Sequence, residues 1–233
     1  MNGRVDRLNL IVDADDTLWE NCVYFEDAFA AFVNYLEHST LNADEIRAIL
    51  DEIEIANARV HGYGSLNFGR NLQECYVKLA ERAIAPADLE TVKGFALNIL
   101  EQPLELFPGV EETVAYLAAR HDLTLYTKGN AQEQKMKIDR SGLGPYFTHT
   151  AIVKEKDVAA YQDLVRSRDI SPESAWMIGN SPKSDINPAL EAGLNAVFIP
   201  HTTTWTLERE ELCDPGPGCL VVLERFADLR NVF

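Results

Sequence analysis

The spacing of the apolar runs constrains this chain most. LNLIV (8 to 12), LTLYT (123 to 127), HTAIV (149 to 153), SAWMIG (174 to 179) and NAVFIP (195 to 200) are short, rich in β-branched or aromatic residues, and read as buried strands. After the second run, helical segments separate them: AQEQKMKIDRSGL, then DVAAYQDLVRSR with Val158, Tyr161, Leu164 and Val165 on one face, then INPALEAGL. Strands alternating with helices predict an α/β fold with a parallel, doubly wound sheet. CLVVL, beyond the DPGPG loop, predicts a last strand.

Between the first two runs lie roughly a hundred residues, far more than one crossover helix needs. The excess has helical period. FEDAFAAFVNYLEH aligns Phe25, Phe29, Phe32, Val33 and Leu36 on one stripe, and Asn42 and Glu45 open the next helix in capping-box spacing. LQECYVKLAERA follows, then ADLETVKGFALNIL behind Pro86 at a first helical turn. An all-helical insertion is therefore expected over 19–107, with 1–18 and 108–233 forming the α/β core, and FPGVEETVAYLAAR is the helix that leads back into it.

The first strand runs straight into DADD, which sets Asp13, Asp15 and Asp16 side by side. Such carboxylates repel and raise one another's pKa, so the arrangement calls for a cation or a reaction. Composition narrows the partners. A formal charge of −16, from 37 acidic against 21 basic residues, repels nucleic-acid phosphate and anionic lipid. The four scattered cysteines form no CxxC pair, which fits a reduced compartment and free thiols. No segment reads as a signal peptide or a membrane span, so the expectation is a cytoplasmic protein with a small-molecule partner.

In open parallel sheets, ligands bind beyond the carboxyl ends of the strands. There the sequence places Asp13 and Asp15 after strand one, Thr127 at the end of strand two, Lys154 and Lys156 after strand three, and Asn180 to Asp185 after strand four. This set suits phosphoryl chemistry with a divalent metal. Asp13 and Asp185 offer hard oxygens to Mg²⁺, while Thr127 and a lysine hold phosphate oxygens. One carboxylate can act as nucleophile and a second, two residues on, as acid and base.

DADDTL, LYTKG, EKDVAAYQ and IGNSPKSDI, in this order, resemble the four motifs of the haloacid dehalogenase superfamily, and SGLGPYF and ALEAGLNAVFIP resemble linking sequences of its phosphatases. The resemblance implies a modified Rossmann core with an inserted helical cap. It makes Asp13 the nucleophile that becomes an aspartyl phosphate, Asp15 the general acid and base with its carbonyl toward Mg²⁺, and Asp185 a metal ligand. Thr127 matches the phosphate-binding hydroxyl. Lys156 matches the motif lysine, with Lys154 the alternative. The chain departs from the pattern in three places. Asn180 stands where most members carry an aspartate, leaving an amide oxygen for the metal and a weaker electrostatic hold on it. Lys128 replaces a frequent asparagine and adds charge near the substrate. Asp16 replaces a glycine, and its backbone N–H is the expected phosphate contact.

HGYGSLNFGR, glycine-rich between two helices, offers Tyr63, Asn67 and Arg70 to substrate or serves as an ordinary turn. The implied activity is Mg²⁺-dependent hydrolysis of small phosphate monoesters such as a sugar phosphate, a nucleotide or phosphoglycolate, by a monomer or homodimer. A non-catalytic binding protein of the same fold is the rival from another class. A dehalogenase, which has no use for Asp15 or Asp185, and a phosphomutase are the rival enzymes.

Overall fold

A computed structural model describes residues 7–233; residues 1–6, which the sequence reading gives to the α/β core, lie outside the described residues. Strands form at each apolar run: β1 (Asn9–Val12), β2 (Asp122–Lys128), β3 (His149–Val153), β4 (Ala175–Gly179), β5 (Asn195–Phe198) and β6 (Leu220–Val222). They make one six-stranded sheet in the order β3-β2-β1-β4-β5-β6, parallel throughout. The chain reverses its direction of travel across the sheet between β1 and β4, which sets a crevice at the carboxyl ends of the central strands.

Alternation along each strand divides its side chains between two faces. Leu10, Val12, Leu123, Leu125 and Ile178 pack with Val110, Val114 and Leu117 of α5 (Val110–Ala118), Ile138 of α6 (Ala131–Ser141), and Phe226 and Leu229. Ile11, Tyr126 and Met177 meet Tyr161, Leu164 and Val165 of α7 (Val158–Ser167) and Ala189 of α8 (Asn187–Glu191). Both faces are covered, which is why the strands read as continuous apolar runs.

The described chain divides into two compact units: one holds the chain up to Glu20 and from Leu104 onward, the other is Asn21–Pro103. Trp19, Glu20 and residues 104–107, read from sequence as part of the insertion, lie in the α/β unit. Trp19 is fully buried there and bridges Leu106.

The second unit is a set of helices, α1 (Cys22–Leu36), α2 (Ala43–His61), α3 (Ser65–Leu79) and α4 (Pro86–Leu97), around its own core of Phe29, Phe32, Leu50, Leu72, Tyr76 and Val92. Asn42 and Glu45 form the reciprocal capping box, with bonds of 3.0 and 2.9 Å. The glycine-rich stretch is shorter as a turn than the sequence implies. Gly62 and Gly64 take positive φ, and α3 already begins at Ser65, so Asn67 and Arg70 are helical.

Candidate active site

Parallel pairing carries past the end of β1, where the Asp13 N–H donates to the Ile178 carbonyl at 2.9 Å. The chain then turns tightly. Leu18 N–H returns to Ala14 O at 2.8 Å, which brings the Thr17 hydroxyl back to 2.8 Å from Asp13 Oδ2. The same hydroxyl stands 3.1 Å from Asn180 Oδ1, so Thr17 joins the loops after β1 and β4.

Lys156 lies between β3 and α7 and is 3% exposed. Its Nζ sits 2.5 Å from Asp13 Oδ1 and 2.7 Å from Asp185 Oδ1. Asp185 belongs to a wide helical turn, Pro182–Ile186, and its Oδ2 accepts the Ser181 N–H at 3.0 Å. The turn packs hard against the end of β4. A Cβ on Gly179 would stand 2.7 Å from the Asp185 Cβ and nearer still to its carboxylate, so only glycine admits this approach. Lys154, by contrast, is exposed, and the lysine that enters the carboxylate pair is Lys156.

Burial, then the neighbouring Asp185 charge, raise the Asp13 pKa to about 7 against the pull of Lys156. Burial also works against the charge of Lys156, but Asp13 and Asp185 outweigh it and hold the ammonium protonated above its ordinary range. One ammonium thus faces two buried carboxylates, with the Asn180 amide oxygen alongside. That excess of negative charge on hard oxygens is of the kind that a divalent cation such as Mg²⁺ favours, and Asp13, Asp185 and Asn180 are residues that could hold one.

Asp15 points to a different set of partners. Its Oδ1 accepts from Trp19 Nε1 and Lys137 Nζ, each at 2.7 Å, and its Oδ2 from Gln134 Nε2 at 2.7 Å and Lys137 Nζ at 2.6 Å. Burial opposes ionisation, but the Lys137 charge and these hydrogen bonds prevail and hold the carboxyl below the ordinary range. Thr127 is buried at the end of β2, and its hydroxyl makes no hydrogen bond among the described residues, which leaves it available to an anion.

Three residues expected at the substrate have partners within the protein. The Asp16 N–H already donates to Trp19 O at 2.8 Å, with φ at 61°, so the turn uses the group assigned to phosphate. The Asp16 carboxylate instead groups with Glu20 and His201, their ligand atoms within 4.8 Å of one another. Lys128 is neutralised, at 2.6 Å from Glu208 and 3.3 Å from Glu155. In the helical unit, Asn67 donates to the His61 carbonyl and accepts from Arg70 at 3.0 Å, so its amide closes the turn before α3. Arg70 and Tyr63 flank that turn, exposed and half-buried respectively.

Sequence reasoning missed Thr17, Gln134, Lys137 and Glu208. Thr17 carried a signal, four residues after Asp13 in DADDT. Lys137 carried none, since 122 positions separate it from Asp15 and the period of α6 marks only its apolar side.

The chain is thus an α/β protein with a buried aspartate, Asp13, just past the end of a central strand. Residues 9–193 match the haloacid dehalogenase-like hydrolases, and the chain belongs to that family. It is 30% identical over 130 residues to glyceraldehyde 3-phosphate phosphatase of Pyrococcus furiosus, covering 51% of this chain and 54% of that protein. It is 29% identical over 136 residues to phosphoserine phosphatase of Thermus thermophilus, covering 54% and 51%. The chain thus spans about half the length of these curated relatives. A crystal structure of a haloacid dehalogenase-like hydrolase from Xanthomonas campestris superposes with a TM-score of 0.79 at 28% identity, over 97% of this chain and 94% of that one. No helix among the described residues is long and apolar enough to cross a membrane.

Proposed function

We propose that this protein is a Mg²⁺-dependent phosphatase of small phosphate monoesters that works through an aspartyl phosphate on Asp13. The observation that carries the reading is the single Lys156 ammonium bound between Asp13 and Asp185. It keeps a nucleophilic carboxylate oriented and leaves a negative surplus that a divalent cation answers.

In the first step an Asp13 oxygen attacks phosphorus. The bond from phosphorus to the ester oxygen breaks, its electron pair leaves with that oxygen, and Asp15 supplies the proton. Water then gives a proton back to Asp15 and attacks phosphorus, releasing inorganic phosphate and regenerating Asp13. Lys156 and the Thr127 hydroxyl stabilise the non-bridging oxygens in both steps. Oxygens of Asp13, Asp15, Asn180 and Asp185 would hold Mg²⁺, which would supply positive charge to offset the negative charge of the phosphoryl group. Gln134 and Lys137 hold Asp15 ionised, the form that takes a proton from water; in its acid role Asp15 hands on the proton gained from water in the preceding turnover, with one of these partners yielding its place to the leaving oxygen.

The names of the relatives, with glyceraldehyde 3-phosphate and phosphoserine in them, support small phosphate esters as the substrate class. Asp15 and Asp185 weigh against dehalogenation, which uses neither. We assign selection of the leaving group to the helical unit, on the strength of the sequence resemblance to capped phosphatases.

Phosphate release from a panel of small esters that includes these two, with Mg²⁺ and with chelator, tests the reading. Metal-dependent release is expected for the parent and loss of turnover for Asp13→Asn. Full activity in Asp13→Asn would refute the nucleophile, and a parent silent on every ester would refute the phosphatase.

A further inference from the structure

Beyond β5 the chain crosses the fourth-motif turn as a strap with little regular structure except one 3-10 turn, Thr206–Glu208. Lys183 of the motif and Asn187 just beyond it, neither of which the chemistry uses, grip this strap. Lys183 Nζ donates to Leu207 O at 2.7 Å, Asn187 Nδ2 donates to Glu211 O at 2.8 Å, and Cys213 N–H donates to Asn187 Oδ1 at 2.9 Å.

Glu208 lies at the centre, its side chain 15% exposed. Its Oε2 accepts the Ser181 hydroxyl at 2.6 Å and its Oε1 accepts Lys128 Nζ at 2.6 Å. Burying a carboxylate is costly unless charge-assisted bonds compensate, and an ordinary surface loop has no need of one.

Both partners lead directly into the site. The Ser181 hydroxyl accepts the Ser184 N–H at 2.9 Å, and the Ser181 N–H holds Asp185 Oδ2 at 3.0 Å. Lys128 follows Thr127 in β2 and also donates to Ser184 Oγ at 2.9 Å. One carboxylate therefore ties the end of β2 to the turn that carries Asp185.

We propose that Glu208 is a positioning residue: by fixing Ser181 and Lys128 it sets the Asp185 carboxylate for a divalent cation. The inference rests on the reading of Asp185 as a metal ligand. It does not require turnover.

Calorimetric titration of the full chain with Mg²⁺, in the absence of any ester, tests it. Asp185→Asn serves as the reference for a lost ligand, and thermal melts confirm that each variant is folded at the titration temperature. Glu208→Ala is expected to weaken Mg²⁺ binding roughly 10-fold, the size seen when partners of metal ligands are removed. Glu208→Gln, which keeps an acceptor for Ser181, is expected to recover most of that loss. An unchanged dissociation constant in Glu208→Ala overturns the proposal even where its melting temperature falls, because Glu208 then only fastens the strap. A parent that binds no Mg²⁺ overturns it as well. A parent that binds Mg²⁺, weakened in Glu208→Ala, yet releases no phosphate keeps the role of Glu208 and loses the phosphatase.

Discussion

Lys156 and Lys154 are two residues apart in VKEKD, and their surroundings give them opposite fates. Lys156 compensates two buried carboxylates, while Lys154 faces solvent. Removing one partner from a buried ion pair typically costs about 3–5 kcal/mol, because the remaining charge loses its compensation. Lys156→Met is therefore expected to destabilise the fold on that scale and abolish turnover, with added Mg²⁺ recovering part of the stability, as the proposed binding of the ion to the folded carboxylates requires. Lys154→Met should stay within about 0.5 kcal/mol of the parent. Chemical denaturation of both variants, with and without Mg²⁺, separates the cases. A larger loss for Lys154 would reverse the assignment. At this scale the sequence offered the residue types and left open which lysine turned inward.

Elements were more legible than residues. Each apolar run became a strand, and the capping pair at Asn42 and Glu45 and the proline at the start of α4 mark helix starts, because these signals act within a few positions along the chain. The turn Pro182–Ile186 was harder to foresee, since its width follows from fitting the Asp185 carboxylate beside the end of β4. Gly179 makes that fit possible. Gly179→Ala should therefore lower the melting temperature and weaken Mg²⁺ binding by roughly 10-fold, as when a metal ligand loses its support. An unaltered affinity would mean that the turn yields without moving the carboxylate.

Across the whole molecule, a formal charge of −16 and a pI near 4.7 produce self-repulsion that the local ion pairs do not cancel. Raising the ionic strength from 0.01 to 0.15 M shortens the screening length from about 30 to about 8 Å. The melting temperature should rise over that interval in sodium chloride. A fall would show that the surface and crevice ion pairs contribute more than the net charge takes away.

The sequence by itself determined what depends on local pattern: the strands, the helices, their alternation, and the order in which the motifs meet the strand ends. Periodicity and capping are properties of neighbours in the chain, so they survive without a third dimension. Tertiary structure alone decided that Lys156 enters between Asp13 and Asp185, that Asp16 gives its N–H to the turn, that Lys128 is neutralised by Glu208, and that Lys137 holds Asp15. Lys156 and Asp13 lie 143 positions apart. Which side chains meet over such a span depends on how the loops pack after the sheet has formed, and no local period records it.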